Sequence, residues 1–176
     1  SVTVTDSGNI VTEAVAWDSA NTSGMSISGN TATGTSSAGW NTYATSLKKD
    51  FNPSTGGGAV ESTFTGNHIM HGFGNESSLS TTNTYAQIDY AIFNDGSGSV
   101  QVYENGVATT TGSTWSAGDT FKVVMDSNGL VTYYVNGVLD HTSTYTASGD
   151  YFIHTTIHDL NASVTSNYAE TIPTTS

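Results

Sequence analysis

Apolar and polar residues alternate over short runs along most of this 176-residue chain, and Gly, Asn, Asp or Ser bounds each run. A period of two puts one side of a strand into a core and the other toward water, whereas the 3.6-residue period of an amphipathic helix is nearly absent. The clearest runs are Ala59–Thr65, His68–Phe73, Ala86–Phe93, Val100–Glu104, Thr120–Asp126, Leu130–Val135 and Tyr151–Ile157. Many short strands with regular turns restrict the chain to an all-β sandwich or barrel. Weaker signals place strands at Val2–Thr5 and Ile10–Trp17, and Met25 and Ile27 suggest a short edge strand in the Ser/Thr/Gly/Asn tract at 21–39.

Two connections carry turn chemistry. Asn94-Asp95-Gly96-Ser97-Gly98 and Asp126-Ser127-Asn128-Gly129 supply residues that tolerate positive φ between apolar runs, so each folds its strands into a hairpin. The stretch from Asp89 to Val107 also parallels that from Thr120 to Val138, an echo of two units inside one domain rather than a repeat array.

Eighteen aromatic residues (six Phe, nine Tyr, three Trp) are enough to bury a core in one domain, although Ser and Thr make up roughly a third of the chain. A net charge of -12 with three cations, Lys48, Lys49 and Lys122, excludes a phosphate backbone or an anionic bilayer as partner. No apolar run approaches the ~20 residues of a membrane span, and no leader-like segment opens the sequence. The absence of Cys removes disulfides and thiol chemistry. The acidic, Ser/Thr/Asn/Gly-rich composition suits a secreted or cell-surface bacterial protein. The module is expected over 1–170, with 171–176 a linker or tail leading into a longer multidomain chain.

Tyr85-Ala-Gln-Ile-Asp-Tyr-Ala-Ile92, Val102-Tyr-Glu-Asn-Gly106, Ala117-Gly-Asp-Thr-Phe-Lys-Val123 and Tyr133-Tyr-Val-Asn-Gly137 resemble the concanavalin A-like lectin/glucanase superfamily, in particular modules of large bacterial surface and adhesin proteins. The resemblance runs from about Val15 to Val164. It implies a jelly-roll sandwich of two antiparallel sheets with ligands on the concave sheet or at its rim loops. Glucanases of this superfamily carry a Glu-Ile/Leu-Asp-x-x-Glu strand. Here both glutamate positions are replaced, by Gln87 and Ile92, and Asp89 remains. Glycoside hydrolysis needs two carboxyls about 5–9.5 Å apart, so the resemblance is to a noncatalytic member.

His154 and His158 form an H-x-x-x-H spacing, but four residues along a strand span about 13 Å, too far for two ligands of one ion. If Ile153 and Ile157 face the core, His154 and His158 face outward, either to hydrogen-bond sugar hydroxyls or simply to be solvated. His71 reads as a partly buried, satisfied histidine. Calcium is the expected cation, since the Asp95 and Asp126 turns resemble half of a calcium loop, although turn chemistry alone also explains them. The long connection at 72–85 offers Asn75 and Glu76, and Asp159 lies just beyond a strand end. Trp40, Tyr43, Tyr85, Trp115 and Tyr145 read as loop or strand-end aromatics, whereas Trp17, Tyr90, Tyr134 and Phe152 read as packed in or near the core.

The expected function is noncatalytic, lectin-like binding of a glycan on a host or neighbouring cell, or of an extracellular polysaccharide. Contacts are expected from Asp89, Asn75, Glu76, His154, His158, Asp159 and Trp115, with calcium at Asp95 or Asp126. The alternatives are a calcium-dependent peptide- or protein-binding adhesin module and a structural spacer.

Overall fold

The computed structural model describes residues 10–36, 39–75 and 88–171. Val2–Thr5, Glu76, Tyr85, Gln87 and residues 172–176 lie outside the described residues.

The described residues form fifteen strands. The first five are β1 (Ile10–Ala14), β2 (Trp17–Ser23), β3 (Met25–Ser28), β4 (Thr31–Gly34) and β5 (Tyr43–Ser46). Next come β6 (Gly58–Thr65), β7 (Ile69–Asn75), β8 (Tyr90–Asn94), β9 (Ser99–Glu104) and β10 (Val107–Thr114). The last are β11 (Thr120–Met125), β12 (Leu130–Val135), β13 (Val138–Thr146), β14 (Tyr151–Ile157) and β15 (Ser163–Thr171). An eight-stranded sheet runs β13-β12-β11-β6-β15-β4-β3, with β1 also paired to β15, and a seven-stranded sheet runs β10-β9-β8-β7-β14-β5-β2. Every pairing is antiparallel. The 93–99 and 125–129 connections are hairpin turns, as read from the sequence, and β3 is the edge strand expected around Met25 and Ile27. β15 extends to Thr171, one residue into the expected tail.

Alternation explains how the sheets meet. Val60 and Phe64 on β6, Phe121 and Val123 on β11, and Val131 and Tyr133 on β12 are buried at every second position. They pack in one cluster with Ile69, Phe73, Ile92, Val102 and Ile153 of the other sheet. Phe64 and Phe121 stack at 4.5 Å. Each such side chain contributes about 1.5–3 kcal/mol by leaving water. On β12 it is Tyr133 that is buried. Tyr134, expected in or near the core, is only half-buried, because the register pairs Tyr133 with the inward-facing Val123.

The central strands of the seven-stranded sheet, β7, β8 and β14, are dry on their other face as well. One cross-strand row there runs Thr45, His154, Gly72, Ala91, Tyr103. Met70, Ala91 and Phe93 form a second cluster with Ile88, against which Trp40 and Tyr103 pack. Phe152 and His154 are completely buried on the same face and reach over β7. A Cβ at Gly74 would lie 2.9 Å from Phe152 Cε2 and 3.0 Å from His154 Nδ1, so the missing side chain at 74 makes the room.

His71 points the opposite way, between the sheets, and is fully buried. Its Nδ1 pairs with the Thr155 hydroxyl on the neighbouring strand, and its Nε2 lies 2.8 Å from Ser166 Oγ on β15 of the opposing sheet. The imidazole is thus a polar bridge across the sandwich, which avoids the cost of an unpaired buried polar group. Burial, reinforced by the electrostatic effect of His154, lowers its pKa from 6.5 to about 3. Between those values the unfolded chain binds a proton that the folded chain refuses, so stability falls as pH falls through this window. One such proton contributes at most about 1.4 kcal/mol per pH unit. Denaturant unfolding across this acid range should show the loss, and His71→Gln should flatten it by about that slope. A folded His71→Gln protein with an unaltered slope would exclude His71 as the source.

Candidate functional site

Asn94 closes β8 with a fully buried side chain. Its Oδ1 accepts the Ile69 N–H at 2.8 Å, and its Nδ2 donates to the Gly66 carbonyl at 2.9 Å, which pins the β6–β7 turn. The main chain of His68 is caught on both sides. Its N–H donates to the Asn94 carbonyl at 2.9 Å, and its carbonyl accepts the His158 N–H at 3.0 Å. These bonds hold His68 at φ 60°, a left-handed conformation uncommon outside glycine. Gly96 leaves space for the imidazole, since a Cβ there would stand 2.8 Å from His68 Cε1.

The loop after β14 brings the other members. The Gly39 N–H donates to the His158 carbonyl at 3.1 Å, and the Asn161 N–H donates to the Gly34 carbonyl at 2.9 Å. The Asp159 carboxylate then lies between two imidazoles, with Oδ2 3.1 Å from His68 Nδ1 and Oδ1 2.7 Å from His158 Nδ1. Burial alone would raise the Asp159 pKa, but the hydrogen bonds from His158 and His68 hold it below the usual carboxylate value. The three side chains are 30–36 % exposed. They are the one group of three His, Asp or Glu, among the described residues, whose ligand-capable atoms converge, all within 4.8 Å of one another.

Rings continue from this cluster along the outer face of the seven-stranded sheet. Trp40 lies 5.1 Å from His158 and meets Phe93 edge-on at 5.7 Å. Tyr103 meets Phe93 edge-on at 5.7 Å from the other side. Phe93 is buried, whereas Trp40 and Tyr103 keep part of their surface in water. The result is a strip of rings ending in a polar triad, a mixture of apolar faces and hydrogen-bonding groups.

The other residues read from the sequence fall elsewhere. Asp89 accepts the Asn75 N–H at 2.5 Å, so these two meet where β7 and β8 adjoin. Burial raises the Asp89 pKa, opposed by that hydrogen bond. Glu76 lies outside the described residues. His154 is on the expected face but completely buried rather than open to solvent, because the centre of that face is itself packed. Trp115 packs against the core and donates its Nε1–H to the Asp95 carbonyl at 3.1 Å. Asp95 Oδ1 accepts the N–H groups of Ser97 and Ser99 at 2.8 and 3.0 Å, and Asp126 Oδ1 accepts those of Asn128 and Leu130 at 2.8 and 2.9 Å. Both carboxylates therefore close their own hairpins, one in each sheet.

His68 was missed as a site residue, since its partner Asp159 is 91 positions away. The available signal was its opposite parity to His71 directly after a Gly-Asn pair.

Three of the acids, Glu61, Glu104 and Asp89, do not share a face. Glu61 sits on the outward side of β6, in register with Lys122. Glu104 faces inward, accepting the Tyr133 hydroxyl at 3.1 Å, and Asp89 stands at the rim of the other sheet's outer face. Three acids are thus directed to three different places.

No protein-family model matches the chain, and no curated protein matches it in sequence. Solved structures do match in fold. The TRIM65 PSpry domain superposes with TM-score 0.64 at 13 % identity, over 87 % of this chain and 91 % of that one. The carbohydrate binding module CBM66 from Bacillus subtilis gives 0.50 at 12 % identity, over 98 % and 100 %. The alginate lyase from Corynebacterium sp. gives 0.50 at 14 %, over 74 % and 67 %. The fold is a concanavalin A-like jelly roll. At these identities the likeness concerns the fold, and this jelly roll takes its site from its own residues.

The packing of His68 against Gly96 gives a test of the site's construction. Gly96→Ala should displace the His68 ring from Asp159 while leaving the core unchanged. In imidazole NMR spectra the His68 and His158 signals should move and those of His71 should stay. Unmoved His68 signals in the variant would refute the proposed steric fit.

Proposed function

We propose that this jelly roll is a noncatalytic binding module that takes a carbohydrate along the strip formed by Tyr103, Phe93 and Trp40. The observation that carries the reading is the placement of Trp40, half-exposed, against both Phe93 and His158. An exposed ring face suits the apolar side of a pyranose, and His158, Asp159 and His68 supply donors and acceptors for its hydroxyls at one end. Neutral glycans are favoured. The chain carries -12 net charge, and its three lysines lie away from the strip: Lys48 and Lys49 pair with Asp50 and Asp18, and Lys122 is on the other sheet. The fold-level match to a carbohydrate binding module agrees with this reading. The composition supports a place in a secreted or surface-attached bacterial protein, where such a module would serve adhesion to cells or polysaccharide.

A second reading follows from the fold match to a PSpry domain, whose TM-score of 0.64 exceeds the 0.50 of the carbohydrate binding module. In it, the same rim grips a protein or peptide, with a cation offsetting the acidic surface. Calcium at the Asp95 or Asp126 turns belongs to this alternative.

A glycan array and a peptide library, each with calcium or chelator, separate the two. The proposed function predicts saturable binding to a neutral oligosaccharide, weakened on the order of tenfold, about 1.4 kcal/mol, by Trp40→Ala. Undiminished sugar affinity in a folded Trp40→Ala protein would remove the strip from the site. A blank glycan array with calcium-dependent peptide capture would install the second reading.

A further inference from the structure

We infer that His68, His158 and Asp159 form a binding site for a transition-metal ion of the zinc class. The inference goes beyond the proposed function and holds whichever ligand the aromatic strip takes.

The donor set argues first. Two imidazoles and one carboxylate suit zinc, cobalt or nickel, whereas calcium seeks about six to eight oxygens. The distances argue next. Zinc–nitrogen and zinc–oxygen bonds of about 2.0–2.1 Å set tetrahedral ligand atoms about 3.3–3.5 Å apart. His158 Nδ1 lies 2.7 Å from Asp159 Oδ1 and His68 Nδ1 lies 3.1 Å from Oδ2 of the same carboxylate, and a set of one ligand atom from each residue falls within 4.8 Å. Closing on an ion therefore asks for side-chain motion of only about 1 Å. Half-exposed side chains can make that motion without disturbing the core.

The scaffold argues third. The three ligands come from two connections that the main chain has already joined, through the His158 N–H on the His68 carbonyl. His68 is held in a left-handed conformation by buried Asn94, so its ring is placed before any ion arrives. Gly96 keeps the space beside that ring open. Three protein ligands and partial exposure leave coordination positions for water or for a hydroxyl of a bound molecule, as in open zinc sites. The ion would cross-link the β6–β7 turn to the β14–β15 loop at the rim.

The test uses the full chain, stripped with chelator and without sugar. Cobalt should bind one saturable site with visible absorption bands that zinc abolishes, and zinc should raise the melting temperature by mass action. In the wild-type protein, zinc should shift the imidazole nitrogens of His68 and His158 and leave those of His71 and His141 in place. His68→Ala and His158→Ala should each weaken binding at least tenfold, while His141→Gln should not change it. The wild-type nitrogen shifts decide the matter if an alanine variant fails to fold. Absent cobalt bands, zinc shifts at other histidines, or unweakened binding in both folded alanine variants would overturn the site. So would a response to calcium alone. Metal binding with a blank glycan array would sustain this inference against the carbohydrate reading, and the reverse pair of results would do the opposite.

Discussion

The centre of the seven-stranded sheet is sealed from water on both faces, and the rest of the architecture follows from this. β8 and β14 are buried at every position and β7 at all but its last. Backbone groups in such strands are satisfied by the ladders, but every polar side chain must find a partner inside. His71 bonds Thr155 and Ser166 across the sandwich, and Asn94 bonds both ends of the β6–β7 turn. A face whose middle is filled by Phe152, His154 and Ile88 offers little open surface there to a ligand. Access moves to the rim, where Trp40, His158 and His68 remain partly wet.

This double burial also decides what could be read from the chain. β9 and β11 have one inward side, alternate cleanly in burial, and were legible to within a residue. The two hairpin turns were legible because their Asp side chains close them locally. The internal echo is realised as two Asn-Gly turns, with Asn105 and Asn136 both at positive φ. β10 and most of β13 escaped notice because they are exposed edge strands rich in Thr and polar residues, with no apolar side to mark them. For β14, parity correctly separated Ile153 and Ile157 from His154. Parity does not say whether the second face is wet, and there the expectation of an accessible His154 failed.

The site was half legible for a related reason. His158 and Asp159 stand out beyond a strand end, and strand geometry rightly removed His154 as a co-ligand of His158. Finding His68 required knowing that β7 and β14 are neighbours in register, with Ile157 opposite Ile69. That pairing brings the residue before one strand against the residues after the other. Sequence periodicity fixes faces but not neighbours, so a site assembled where two strand ends meet stays invisible to it.

Charge distinguishes this carboxylate from the others in a chain with fifteen acids. Asp95, Asp126 and Asp119 accept backbone N–H groups of their own turns, and Asp18 holds Ala20, Asn21 and Lys49 together. Each of them is already engaged in a turn or an ion pair. Asp159 instead is hydrogen-bonded to two imidazoles on the surface, groups that a small rotation would release from it. Several of the surface carboxylates thus serve the turns and ion pairs of the fold itself. Among the described residues, Asp159 is the acid set between two histidines, beside the strip that carries the partly exposed rings of Trp40 and Tyr103, and it is the carboxylate that a ligand could engage with least cost to the fold.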